Sequence, residues 1–351
     1  GRAKDVRVGY LIRYPSDNLF LGIHDETAID RSGAGDQFSQ KEILVKRSIN
    51  RAGGIPVTDD DLIRVIAPRP ALTGPAIVVH NKIDSDNYLD GQFSSGSNGT
   101  MFEYELLYPL YSGSVSTSTD NGTLEGNKLT QDGPGPGGVS VRKLNPGLSK
   151  EEYRWYWLIK NNRSRDDYTG IIGALTALGQ TGTNFHNQTA PLLDTSGWLR
   201  SFTGPIAWAV GDNYAYGSQH NCLYYVKPDG KTLYIPWDMD FTASSGATAS
   251  VNPNAELGKM INSLAGTAAD DANRRAYYGY LLHMVNTGFN PGYLGRWMDH
   301  YSCFVNEDYR AGFMPFVTQR ETFIRSQIAA AVPVVSFQIT TNGGNNYSEP
   351  G

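Results

Sequence analysis

Gly211-Asp212-Asn213-Tyr214-Ala215-Tyr216-Gly217-Ser218-Gln219-His220-Asn221-Cys222-Leu223-Tyr224-Tyr225-Val226 is followed by Lys227-Pro228-Asp229-Gly230. Then comes Lys231-Thr232-Leu233-Tyr234-Ile235-Pro236-Trp237-Asp238-Met239-Asp240-Phe241. Two aromatic and β-branched runs flank Pro-Asp-Gly, where proline presets φ and glycine supplies a positive φ, so the stretch predicts a β-hairpin. Pairing Val226 with Lys231 sets Asn221 opposite Pro236 and Gln219 opposite Asp238, which brings Asn221 and Asp238 to one open end. Asp212 closes an apolar helical pattern over Thr195–Val210 that leads into the same mouth, and Asp240 stands beside it. Oxygen donors of this kind suit Mg²⁺ or Ca²⁺ rather than zinc.

The order Asp, Asn, hairpin, Asp is that of phosphoryl-transfer sites of the protein-kinase type. There a catalytic aspartate accepts the proton of the acceptor hydroxyl, and an asparagine and a second aspartate hold Mg²⁺ against the nucleotide phosphates. Asp212 and Asn221 are nine positions apart, a longer interval than Asp-x-x-x-x-Asn. His-Arg-Asp is absent, and Asp238-Met239-Asp240-Phe241 stands where Asp-Phe-Gly would, so an ordinary protein kinase is excluded as a close match. Blander roles stand beside these. Asp212 and Asn221 are also common helix-end and turn residues, and His220 reads as a hydrogen-bonded structural histidine. Asp240 is either a second metal ligand or a solvated carboxylate. Tyr153, Trp155, Tyr156 and Trp157 read as core rather than as a sugar-stacking platform.

The chain has 351 residues, more than one hydrophobic core usually holds, so it is one large domain with insertions or two smaller ones. Hydrophobic residues at 40%, with 39 glycines, bring the apolar share to about half, which excludes global disorder. Thirty Lys+Arg against 35 Asp+Glu give −5, too little positive charge to hold a nucleic-acid backbone. The longest apolar stretches, near Ala76–Val79 and Ile328–Phe337, fall far short of the roughly 20 residues of a membrane span. A charged fraction of 19%, with much Asn, Ser, Thr, Gly and Tyr, resembles secreted surfaces. Cys222 and Cys303 allow at most one disulfide and read equally well as two buried thiols. The chain opens on Gly1-Arg2-Ala3-Lys4-Asp5 without an initiator methionine and reads as a processed or truncated product.

Ser39-Gln40-Lys41-Glu42 is a capping box that opens a helix ended by Gly53-Gly54. Asp61–Ala67 and Ala76–His80 read as strands. Residues 112–149 are rich in Ser, Thr, Gly, Asn and Pro and read as a surface excursion. Its Gly133-Pro134-Gly135-Pro136-Gly137-Gly138 matches a dinucleotide fingerprint only formally, since no strand precedes it and two prolines remove donors. Ser149-Lys150-Glu151-Glu152 caps a helix through Leu158. Further helices are expected over Tyr168–Leu178, Leu257–Leu264, Asp271–Val285, Gly292–Cys303 and Arg310–Ala330, before a β-like tail over Val334–Thr341. Neither G-x-S-x-G nor H-E-x-x-H occurs, and Gly230-Lys231-Thr232 lacks the earlier glycine of a P-loop because Tyr225 occupies its place.

Several of these blocks together resemble the CotH family of spore-coat and surface proteins, whose members have a distant, atypical kinase fold. The likeness lies in Gly211-Asp212-Asn213-Tyr214, in Gly217-Ser218-Gln219-His220-Asn221 with its aromatic strand, and above all in Tyr234–Phe241. It extends to Asp30-Arg31-Ser32 with Arg51-Ala52-Gly53-Gly54-Ile55-Pro56, to Gly74–Phe102 and to Arg275–Ile328. The resemblance implies an α+β, atypical protein-kinase-like two-lobed domain over residues 5–337, β-rich first and helix-rich second, with 338–351 a linker or the start of a further β module. By the same resemblance Asp212 is catalytic and Asn221 and Asp238 are the ligands for ATP and Mg²⁺, with Asp240 beside them the candidate for a further metal ligand. The expected function is a secreted or surface-displayed phosphotransferase acting on Ser/Thr of a surface protein, with no nucleic-acid partner and no membrane span. The alternative is a non-catalytic binding, scaffold or adhesin domain.

Overall fold

A computed structural model describes residues 9–30, 41–104, 129–130, 133–134, 150–217, 221–262, 268–305, 307–332, 337–340 and 346–349. Pairing of short β-branched runs builds the first layer: β1 (Tyr10–Arg13), β2 (Glu26–Asp30), β3 (Asp60–Val65) and β4 (Gly74–Val79) form an antiparallel sheet in the order β1-β2-β4-β3. Ile77, Val78 and Val79 are buried at its centre. Helix α1 (Glu42–Ala52) crosses between β2 and β3 and packs against β3 and against later helices. It stops where Gly53 takes φ +73. Of its expected capping box, Ser39 and Gln40 lie outside the described residues. Lys41 occupies the cap position, where its side chain makes no capping hydrogen bond, and Glu42 is turned to other use.

Helix α2 (Asp86–Gln92), capped by Ser85 Oγ accepting from Tyr88 N, leads to β5 (Thr100–Tyr104). Most of the 112–149 stretch lies outside the described residues; within it β6 (Leu129–Thr130) pairs with β7 (Gly133–Pro134). Helix α3 (Lys150–Tyr156) then gives way to β8 (Trp157–Ile159). The expected helix through Leu158 is therefore shorter than its sequence pattern: Trp157 and Ile159 pair with Tyr104 and Phe102, and Trp157 is buried while Leu158 is exposed, the alternation of a strand. Tyr153 and Trp157 are core, as expected of them. Next come α4 (Thr169–Leu178), α5 (Gly182–Leu192) and α6 (Thr195–Ala207). The sequence reading does not include α5, whose glycine, asparagines and Pro191 give little local signal; Phe185 and Thr189 hold it by burial.

β9 (Cys222–Val226) and β10 (Thr232–Pro236) form the expected hairpin, in a sheet of order β10-β9-β5-β8. Val226 faces Thr232, one residue away from the expected partner Lys231. The cause is the turn. Gly230 N donates to Lys227 O and Lys227 N to Lys231 O, which leaves a three-residue loop closed by Gly230 at φ +82 rather than a four-residue one. The remaining elements are α7 (Ala255–Asn262), α8 (Ala268–Thr287), α9 (Pro291–Ser302), α10 (Tyr309–Ala331) and a terminal hairpin of β11 (Phe337–Thr340) and β12 (Asn346–Glu349).

One contiguous cluster of buried residues runs from Ile43 on α1 to Ile324 on α10. Its centre is aromatic: ring centroids are 4.8 Å apart for Trp157 and Tyr224, 5.1 Å for Trp198 and Tyr224, and 4.9 Å for Tyr214 and Tyr234. Each such pair adds about 0.5–1.5 kcal/mol beyond area burial. Trp198 Nε1 donates to Thr232 O at 2.7 Å, so the indole is satisfied while it ties α6 to the hairpin. The architecture is mixed α+β, and among the described residues no helix is long and apolar enough to cross a membrane.

Candidate functional site

Helix α6 ends at Ala207 although the apolar run continues through Val210, because Ala209 adopts φ +48 and turns the chain out of the helix. Asp212 therefore sits half-buried in a loop, five positions beyond the helix rather than at its end. The loop is stitched to the segment after β10. Ala243 N donates to Trp208 O (2.8 Å), Ser245 N to Ala209 O (3.2 Å), and Gly211 N to Phe241 O (3.2 Å) and Ser244 Oγ (2.9 Å).

One fully buried amide organises the mouth of the hairpin. Asn213 Oδ1 accepts from Ala215 N (3.0 Å) and Tyr234 OH (3.0 Å), and Asn213 Nδ2 donates to Trp237 O (3.1 Å) and Asn221 O (3.4 Å). Trp237 N in turn donates to Asn221 O (3.3 Å), so Asn221 faces Trp237, next to Asp238. Asn221 Nδ2 donates to Asp212 O at 2.9 Å, which leaves its amide oxygen as the atom able to act as a ligand. Asn221 and Asp238 adopt φ +56 and φ +47, a left-handed region that costs a non-glycine residue about 1–2 kcal/mol, least for asparagine and aspartate. Replacing Asn213 by alanine should cost about 1–3 kcal/mol by orphaning buried partners, and should weaken any ligand held by Asn221 and Asp238; urea titration together with a binding isotherm checks both.

A second set of groups meets this mouth from α1. Buried Glu42 accepts from Met239 N at 3.2 Å, between Asp238 and Asp240 in sequence. Its Oε1 is 3.2 Å from Lys46 Nζ, which lies 2.7 Å from Asp60 Oδ2, and Thr58 Oγ1 donates to Asp60 Oδ1 at 2.9 Å. Lys46 Nζ also lies 5.9 Å from the centre of the Trp237 ring. Burial works against the Lys46 charge, but Asp60 and Glu42 outweigh it and hold its pKa above the ordinary lysine value.

One buried ammonium cannot balance the carboxylates around it. Burial, then Asp240, Glu42 and Asp30, push Asp238 well above the usual carboxylate range, and Lys46 only partly offsets them. Burial, with Glu42, Asp30 and Asp212, pushes Asp240 up to about 6. Burial likewise pushes Asp60 up to about 6 despite Lys46. Carboxyl groups crowded in this way are relieved either by protons or by a cation. The donors are carboxylate and amide oxygens, which fit Mg²⁺. Among the described residues no three His, Cys, Asp or Glu side chains gather into a metal-holding group. Asp238, Asp240 and the Asn221 amide oxygen are the groups at this mouth that could hold such an ion.

A scan against protein-family models finds no match. A search of curated proteins finds none either.

Asp212 and Asn221 touch through the Asp212 carbonyl, and Asp238 and Asp240 are coupled through charge, with Asp212 contributing to Asp240. Gln219 and His220 lie outside the described residues. Glu42, Lys46, Asp60 and Asn213 carry much of the site's electrostatics and support, and sequence reasoning assigned none of them a part in the site. The available signal was the i,i+4 spacing of Glu42 and Lys46 on a helix whose other buried residues, Ser48 aside, are apolar. Cys222, beside Asn221, is a buried free thiol whose pKa burial raises; Cys303 is free and exposed, which corrects the reading of two buried thiols.

The raised carboxyl at Asp60 gives a pH signature. It titrates near 3.8 in the unfolded chain and about 6 in the folded one, so between those values the folded state holds the extra proton. The stabilisation from that proton is full at the low end and is lost as pH rises through the folded value. The parent's melting temperature should therefore fall relative to that of Asp60→Asn as pH rises from about 4 to about 7. A constant gap across that range contradicts this account.

Proposed function

We propose that the protein is a CotH-like, atypical kinase-fold phosphotransferase. It transfers phosphate from Mg-ATP to Ser/Thr of a surface protein, at the cell surface or outside the cell. The observation that carries the reading is the single knot of Asn213, which holds the Asp212 loop, Asn221 and the Trp237-Asp238 block at one hairpin mouth. Support also comes from the element order, in which a β-rich first part with α1 and α2 precedes α3–α6, the hairpin and a helical remainder, so that strands concentrate early and helices late. Where a protein kinase pairs a strand lysine with a helix glutamate, here Glu42 and Lys46 both stand on α1, one turn apart. The low charged fraction and the Asn/Ser/Thr-rich composition support an extracellular setting.

In this reading Asp212 accepts the proton of the attacking hydroxyl. Asn221 and Asp238 hold Mg²⁺ with the nucleotide, and Asp240 serves as a further ligand. Mg²⁺, when bound, neutralises charge building on the transferred phosphoryl group. Glu42, by accepting from Met239 N, fixes the backbone between the two aspartates.

The second reading, a non-catalytic scaffold or adhesin, is favoured by the commitment of Lys46 to Asp60 and Glu42, which leaves that ammonium engaged rather than offered to a phosphate. Calorimetric titration with Mg-ATP and transfer of labelled phosphate separate the two. Heat and transfer support the kinase reading, and neither signal leaves the scaffold.

A further inference from the structure

Away from the hairpin mouth, a cavity of about 510 Å³ opens where the end of α1 meets α6 and α8. Ile55 and Met284, both buried, form its apolar wall, and Arg200 stands at its polar side. The volume is within the range of small-molecule sites. Gly279 leaves the space open, and two further features hold Arg200 at its edge. Gly279 lies within helix α8, where glycine costs about 1 kcal/mol relative to alanine. A Cβ there would meet nothing within 4 Å, so no neighbour demands the glycine. At Gly54, by contrast, a Cβ would run into Arg200 Nη1, so the loop after α1 lies directly against the guanidinium. The guanidinium is also stacked, its Cζ 4.5 Å from the centre of the Tyr280 ring, and Tyr280 is itself fixed by a 2.7 Å bond between its hydroxyl and Ser196 Oγ.

Arg200 is thus oriented before any ligand arrives, and among the described residues it pairs with no carboxylate. His283 sits beside it with Nε2 donating to Ala52 O at 2.9 Å, since a carbonyl can only accept. A prepositioned fork with no carboxylate partner among the described residues, next to an apolar wall, is complementary to an oxyanion with an apolar body.

We propose that the cavity between α1, α6 and α8 binds a small aromatic anion, its charged group on Arg200 and its ring against the Ile55 and Met284 wall. The site is independent of the phosphotransferase reading, because it shares no residue with the hairpin mouth.

Phenyl phosphate is the probe, titrated calorimetrically into the whole chain in the absence of divalent cations, where the acidic mouth repels anions. Binding is expected, with inorganic phosphate and phenol each weaker by about tenfold or more, since each keeps only half of the contacts. Arg200→Gln should weaken phenyl phosphate by about tenfold or more, the scale of a charge-assisted hydrogen bond. Gly279→Leu, which fills the space, should abolish binding; circular dichroism confirms that each variant is folded, and Arg200→Gln alone decides if the leucine variant is not. No heat from phenyl phosphate, equal affinity for inorganic phosphate, or an Arg200→Gln variant that binds like the parent would each overturn the proposal.

Discussion

Asp212→Asn should bind Mg-ATP as the parent does and transfer phosphate more slowly by about 10²–10⁴-fold in a single turnover, the contribution of a positioned general base. The Asp212 backbone carbonyl, which accepts from Asn221, survives the substitution. Asp238→Asn should behave in the opposite way. It removes one charge from the set that draws the cation in, so nucleotide affinity falls and loses its Mg²⁺ dependence. Asn221→Ala should lie between the two, since a neutral ligand is lost along with its bond to Asp212 O. The roles are misassigned if Asp212→Asn abolishes binding while Asp238→Asn leaves it intact. If all three variants bind and turn over like the parent, these residues are turn formers and the phosphotransferase reading goes with them.

Lys46→Met should destabilise the fold by about 3–5 kcal/mol, the cost of removing one partner from a buried ion pair. Methionine fills much of the lysine stem's volume, so the loss measures charge rather than a cavity. What remains is Glu42 and Asp60, both buried, facing each other without a cation and close to Asp238. Adding Glu42→Gln and Asp60→Asn to Lys46→Met should recover most of that loss. The triple variant then separates stability from site chemistry, because Glu42 no longer presents a full negative charge to Met239 N. Urea melts of the single and triple variants measure both effects. A single variant within about 1 kcal/mol of the parent would mean that water reaches the ammonium and that the pair is of surface strength.

The hairpin was legible because its information is local: Pro228-Asp229-Gly230 sits between two apolar runs, and propensity and turn chemistry agree. Its register was legible only to within one residue, since the difference between a three- and a four-residue loop depends on Gly230 closing the turn at positive φ. Asp212, Asn221 and Asp238 could be named from their order along the chain. Glu42 could not, because its partner Met239 is 197 residues away and the local pattern offered a helix cap instead. Ala209, which ends α6 early, carries no sign in its residue type; the apolar run continues past it, and only the surrounding bonds to Ala243 and Ser245 set its conformation. In β8, Trp157 and Leu158 continue a helical pattern until cross-strand partners on β5 claim them.

Ala209, Asn221, Asp238 and Ala243 all hold positive φ around one loop cluster, a conformation that glycine adopts without steric cost. A laboratory lineage selected for heat resistance alone would therefore be drawn toward glycine at each of these four codons. At 209 and 243 such a change should be neutral to activity and should raise the melting temperature. At 221 and 238 the gain in backbone comfort is smaller, since asparagine and aspartate bear this region best, and the change would erase the side chains on which the proposed chemistry depends. Sequencing the survivors of that selection, with and without a parallel demand for nucleotide binding, would show from the pattern of glycine fixation which of the strained residues are kept for their side chains and which are historical residue choices that the fold merely tolerates.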